Sequence, residues 1–130
     1  MKAKILQLAE DEGLPSVVEI DGISYVAMDC IGYGGPKVSE GDLIEAEFTV
    51  GIEDSDESWE NVFNGNPEKI KKLICTKGWS YRAYGEIISI NPVMVDCGVA
   101  KFEDAIDTHD PRCIGEFVAF NIKRLNVWSI

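Results

Sequence analysis

Apolar and polar residues alternate along most of this chain with a period of two, the spacing that turns every second side chain of a strand to the same face. The first clear case is Ser16-Val17-Val18-Glu19-Ile20, followed by Asp21-Gly22 and then Ile23-Ser24-Tyr25-Val26-Ala27-Met28. Asp-Gly supplies the two positive-φ positions of a type I′ turn, whose twist matches that of the flanking strands, so a β-hairpin is predicted here. After Gly41-Asp42, the residues Leu43, Ile44, Ala46, Phe48 and Val50 are set against Glu45, Glu47 and Thr49. That pattern predicts a strand with one buried face and one solvated face bearing carboxylates. Further strand patterns cover 79–84, 85–90, 93–97 and 116–128, with a turn near Asn91-Pro92. Residues 2–8 fit the strand and helix periods equally well.

One segment carries helix signals instead. Asn66 stands as an N-cap, Pro67 at the first helical position and Glu68 in the first turn, while Ile70, Leu73 and Ile74 share a helical face and Gly78 is placed to end it. The expectation is therefore a single domain over 1–130, mainly β, built as a small antiparallel barrel with one short helix inserted around residues 67–76. Two barrel types fit. Several short strands with one mid-chain helix match the OB-fold at the level of architecture. A pseudo-twofold six-stranded barrel is the other, because Met28-Asp29-Cys30 before Gly41-Asp42 is echoed by Val95-Asp96-Cys97 before Gly115-Glu116. Few residue types suit turns, so such echoes also arise between unrelated meanders. No family signature is present.

Charge narrows the partners. With 12 Lys and Arg against 23 Asp and Glu, the chain carries a net charge of −11, which repels nucleic acid and anionic membrane at long range and favours a basic partner. The apolar run 5–9 is too short for a signal peptide's core and no stretch approaches a membrane span, so a soluble, cytoplasmic protein with no membrane association is expected. Cys30, Cys75, Cys97 and Cys113 form no C-x-x-C pair, which fits reduced thiols better than a disulfide framework.

Charge is also segregated. Lys69, Lys71, Lys72, Lys77 and Arg82 give the stretch 69–85 a charge of +5 with no acid, and Trp79, Tyr81 and Tyr84 interleave with them. Lys71, Lys72, Lys77, Trp79, Tyr81 and Arg82 thus form a candidate surface for single-stranded nucleic acid or a nucleotide, with cations for phosphates and rings for bases. The competing expectation turns Trp79 and Tyr81 into the core and leaves the lysines to solvate the surface. Opposite in sign, Glu45, Glu47, Asp54, Asp56 and Glu57 form a candidate acidic face for a basic protein partner. The same acids also serve as ordinary solvation and protection of a sheet edge.

Other motifs stop short of chemistry. Asp54-Ser55-Asp56-Glu57 lacks the glycine and distant bidentate acid of a calcium loop. His109, in Asp107-Thr108-His109-Asp110-Pro111-Arg112-Cys113, has no second ligand cluster for zinc and reads as an exposed loop residue. Gly32-Tyr33-Gly34-Gly35-Pro36 has neither a P-loop lysine nor dinucleotide-fingerprint spacing. No metal or cofactor is expected and no catalytic set can be named. The leading expectation is a non-enzymatic, inhibitor-like acidic binding protein; the alternatives are an OB-like nucleic-acid module and a small hydrolase-type enzyme with an unidentified site.

Overall fold

The fold is described by a computed structural model, over residues 1–11, 13–31, 37–53 and 57–130. It is mainly β: a nine-stranded, largely antiparallel sheet with one short α-helix among the described residues. The strands are β1 (Lys2–Gln7), β2 (Pro15–Ile20), β3 (Ile23–Asp29), β4 (Leu43–Glu53), β5 (Lys72–Lys77), β6 (Ser80–Ile90), β7 (Val93–Asp96), β8 (Lys101–Glu103) and β9 (Phe117–Ser129), and the helix is α1 (Trp59–Phe63). The segment 32–36, with the glycine-rich motif, and Asp54 and Asp56 of the acidic set lie outside the described residues.

The predicted hairpin is present. Asp21 and Gly22 hold φ of 52° and 80°, the double positive φ of a type I′ turn, and Ile20 faces Ile23 across it. In β4 the alternation also holds, with Ile44, Ala46 and Phe48 buried and Leu43, Glu45 and Glu47 exposed. Residues 2–7 form a strand because Ala3 and Ile5 alternate into the core between β2 and β4. Residues 80–90 make one continuous strand where two stretches were expected.

Pairing runs β3-β2-β1-β4-β9-β6-β7-β8, with β5 on β6. A short parallel pairing, Met28 with Asn126 and Asp29 with Val127, also joins β3 to β9. Neighbours therefore lead from β1 through β2, β3, β9 and β4 back to β1. The long strand β9 serves two groups: its second half pairs with β4, and its first half pairs with β6. Both halves feed one hydrophobic cluster, whose fully buried side chains include Ile5, Val18, Phe48, Ile87, Val95, Phe102, Ile122, Leu125 and Val127.

Two expectations are corrected. Residues 67–76 are not a helix: Asn66 closes a turn onto Ile70, Lys69 takes φ 55°, and 72–77 is strand β5. Asn66 accepts the Ile70 N–H at 3.0 Å and donates to the Ile70 carbonyl at 2.8 Å, so its cap-like chemistry ties a loop instead of starting a helix. Gly78 (φ 56°) turns β5 into β6, and only Leu73 of β5 is buried while Ile74 is 41% exposed. The helix that forms is α1, whose N-cap Ser58 accepts the Asn61 N–H at 3.2 Å. The second correction is to the twofold. Among the described residues there are nine strands, not six, and β6 pairs directly with β9 whereas β1 stands between β2 and β4.

Candidate functional site

A concavity with a mixed apolar and acidic lining lies where β4 ends. Val50 and Glu53 of β4, Glu57 just before α1, Trp59 and Val62 of α1, Ala105, Ile106 and Asp107 beyond β8, and Phe120 and Asn121 of β9 enclose a cleft of about 220 Å³. Val50 and Glu53 are three apart on β4, where the register with β9 shifts twice, and Trp59 and Val62 share a helical face. Val62, Ile106 and Phe120 are buried and make an apolar floor. Trp59, 55% exposed, forms part of the rim and packs on Phe63 one helical turn away, ring centroids 4.8 Å apart.

Glu57 and Asn121 also line a second, more polar concavity with Glu60, Asn61, Asn64, Gly65 and Arg82. Between the two hollows stands an ion pair of Glu57 with Arg82. The side chain of Glu57 is only 7% exposed and that of Arg82 20%. The Asn121 N–H donates to Glu57 Oε2 at 2.8 Å, and Arg82 Nη1 donates to Asn121 Oδ1 at 3.0 Å. Gly65 passes directly over this network: a Cβ there would sit 2.7 Å from Arg82 Nη2 and closer still to the Asn61 carbonyl oxygen. The guanidinium also lies 5.9 Å from the centre of the Tyr84 ring.

The sequence-derived residues separate accordingly. On the acidic list, Glu45 and Glu47 are exposed on β4, and Glu57 turns inward to Arg82. Glu45 is held below the usual carboxylate range by Lys2 at 2.9 Å and by the Met1 amino group at 3.2 Å. On the cationic list, Tyr81 is 2% exposed inside the core. Trp79 is half-buried, Lys72 and Lys77 are exposed, and Arg82 points away from Tyr81 as alternation demands. Lys71 reaches Asp96 at 3.0 Å and Glu86 at 3.3 Å, and these contacts, Asp96 first, raise its pKa. Burial works to raise the Asp96 carboxyl, but the Gly98 N–H and Lys71 prevail and hold it below its ordinary value.

Glu57 and Arg82 belong to two opposed charge sets in the sequence, and Trp59, Val62, Ile106, Phe120 and Asn121 belong to neither. Their only sequence signal was the Ser58 cap before an aromatic pair spaced by four. His109 is fully in solvent, its side chain 96% exposed. No group of three or more His, Cys, Asp or Glu among the described residues is arranged to hold a metal ion. No helix among them is long and apolar enough to cross a membrane. Comparison with protein-family models, with curated proteins and with solved structures finds no match for this chain.

Proposed function

We propose that this chain is a non-enzymatic binding module that engages a basic protein partner through the carboxylates on and beyond β4. One observation carries the reading: Lys71 and Arg82, two of the four cations of the candidate nucleic-acid surface, are already matched within the molecule, while several acids on and beyond β4 are not. Lys71 is engaged by Asp96 and Glu86 and Arg82 by Glu57. Glu47, Glu53 and Glu60 have no cationic partner among the described residues, and Asp107 meets only His109, at 3.8 Å. A net charge of −11 with such surface acids steers a basic protein into contact and raises its association rate.

The circuit of β1, β2, β3, β9 and β4 supports reading this part of the fold as a small, partly open five-stranded barrel of the OB type. That architecture hosts many functions and does not choose among them. The nucleic-acid alternative has less behind it on the same ground, since Tyr81 stacks within the core and Arg82 is spent on Glu57.

Fluorescence anisotropy with a labelled oligo-arginine peptide and a labelled single-stranded DNA tests the choice. The peptide is expected to bind with an affinity that falls as salt rises, and to lose most of it in the charge-reversed variant E47K/E53K/D107K. Binding of the DNA in place of the peptide would overturn the reading.

A further inference from the structure

The cleft at the end of β4 is small. Its volume, about 220 Å³, lies below the roughly 300–1,000 Å³ of pockets that enclose a drug-sized molecule. That is room for one long side chain. The lining divides the cleft into zones: Val50, Val62, Ile106 and Phe120 offer hydrocarbon, Glu53 and Asp107 offer carboxylates, and Trp59 stands exposed at the edge. The Glu57 carboxylate belongs to Arg82 and the Asn121 N–H, so the charge available to a visitor is that of Glu53 and Asp107.

An occupant complementary to all three zones has an apolar stem, a delocalised positive head and a flat surface to lie against an indole. An arginine side chain has each of these. Its guanidinium is more weakly hydrated than an ammonium, stacks on aromatic faces and pairs with carboxylates in a planar fork, whereas lysine offers a compact, strongly hydrated charge. A purely apolar side chain would fill the floor but leave both solvent-exposed carboxylates without a partner, and so forgo the electrostatic part of the fit.

We propose that the cleft formed by β4, α1 and residues 105–107 is a recognition pocket for a single arginine side chain presented by the basic partner. The inference rests on the proposed engagement of a basic protein and specifies where, and by which side chain, the partner is anchored. Anchors of this kind, seated in a pocket and ringed by weaker contacts, carry most of the energy of an interface.

Backbone amide NMR of the whole chain, titrated with N-acetyl-argininamide, N-acetyl-lysinamide and N-acetyl-norleucinamide, tests it. Saturable shifts confined to Val50, Trp59, Val62, Ile106, Phe120 and their neighbours are expected with the arginine derivative. Affinity should be several-fold weaker for lysine, and no saturation is expected with norleucine. E53Q/D107N should weaken the arginine derivative about tenfold, while E10Q/D11N, which removes the same charge outside the cleft, should leave it unchanged. Two absent surface charges do not threaten the core, and the dispersion of the spectra verifies the fold of each variant. The proposal is overturned if arginine shifts scatter over the surface, if norleucine binds equally well, or if E10Q/D11N is as damaging as E53Q/D107N. In those cases oligo-arginine that still binds the intact chain leaves the broader reading standing, and oligo-arginine that does not removes both.

Discussion

The Tyr81 hydroxyl accepts a hydrogen bond from the Val26 N–H at 2.7 Å and donates one to the Val26 carbonyl at 2.9 Å. A side chain of β6 thereby stands in for a neighbouring strand on β3, whose own pairing with β9 reaches only Met28 and Asp29. The ring lies 6.2 Å from that of Tyr25, which in turn meets Phe48 edge-on at 5.3 Å. Y81F keeps the ring in place and removes only the hydroxyl, leaving both Val26 groups without this partner. It is expected to lower stability by about 1–3 kcal/mol. A urea midpoint equal to that of the wild type would show that the contact contributes nothing.

Alkali should unfold this protein through two buried acids. Burial raises the Cys97 thiol from 9.0 to about 12. It also raises the Tyr81 phenol from 10.0 to about 12, against a smaller opposing effect of the Val26 bond. In both cases the folded state holds the proton more tightly than the unfolded state, so the unfolded state loses protons first as the pH rises. Their stabilising contribution is complete below about pH 9 and disappears as the pH climbs from there through about 12. Urea midpoints by tryptophan fluorescence should be flat into the weakly alkaline range and then fall. C97A should delay the onset of that fall towards the tyrosine's range, and an unchanged onset would remove Cys97 as its source.

Where the chain's chemistry is local, the sequence is a reliable guide to this fold. Asp21-Gly22 demands positive φ twice and gets it, and the alternation of Ile44, Ala46 and Phe48 names the buried face of β4. The failure at 67–76 has a physical origin. Asn, Pro and a distant Gly serve loop closure and hairpin turning as well as helix capping, and what decides is that β5 fills the edge of β6 beside Leu73. No local signal announces that β9 pairs with β4, β6 and β3 in turn, because those partners are distant in sequence. The site was half legible for the same reason. Charge segregation along the chain is visible, but the pairing of Glu57 with Arg82, which removes one member from each set, depends on tertiary contacts.

Asn66 offers a direct test of the loop that displaced the expected helix. It is 4% exposed, and besides its two bonds to Ile70 it donates to the Val118 carbonyl at 3.2 Å, which ties the approach to β5 onto β9. N66A should cost about 2–3 kcal/mol, since it leaves buried backbone groups without partners. N66D retains an acceptor for the Ile70 N–H but sets a carboxylate against two carbonyl oxygens, and should be destabilised too. Hydrogen exchange should report faster amides in β5 for both variants. Unchanged protection there would mean that β5 is held by β6 alone.

The worth of the ion pair between Glu57 and Arg82 is set by its burial. Exposed pairs contribute little, because water and salt screen them and two side chains must be immobilised. Here Glu57 is 7% exposed and Arg82 20%, and each has a further bond to Asn121 that fixes its orientation. Removing one charge strands the other in a poorly hydrated position, which is more costly than never having had the pair. E57Q keeps an acceptor for the Asn121 N–H and so isolates the charge, and R82Q removes the cation. Each single change should lower stability by about 3 kcal/mol, the lower end for a buried pair because Arg82 retains some solvent. The double variant should lose less than their sum, giving a coupling of about 1–3 kcal/mol in a double-mutant cycle. Most of it should survive in about 0.5 M salt, where a fully solvated pair would be screened. A coupling near zero would mean that water replaces the missing partner, and that the wall between the two hollows is held by Asn121 and the packing of Gly65 instead.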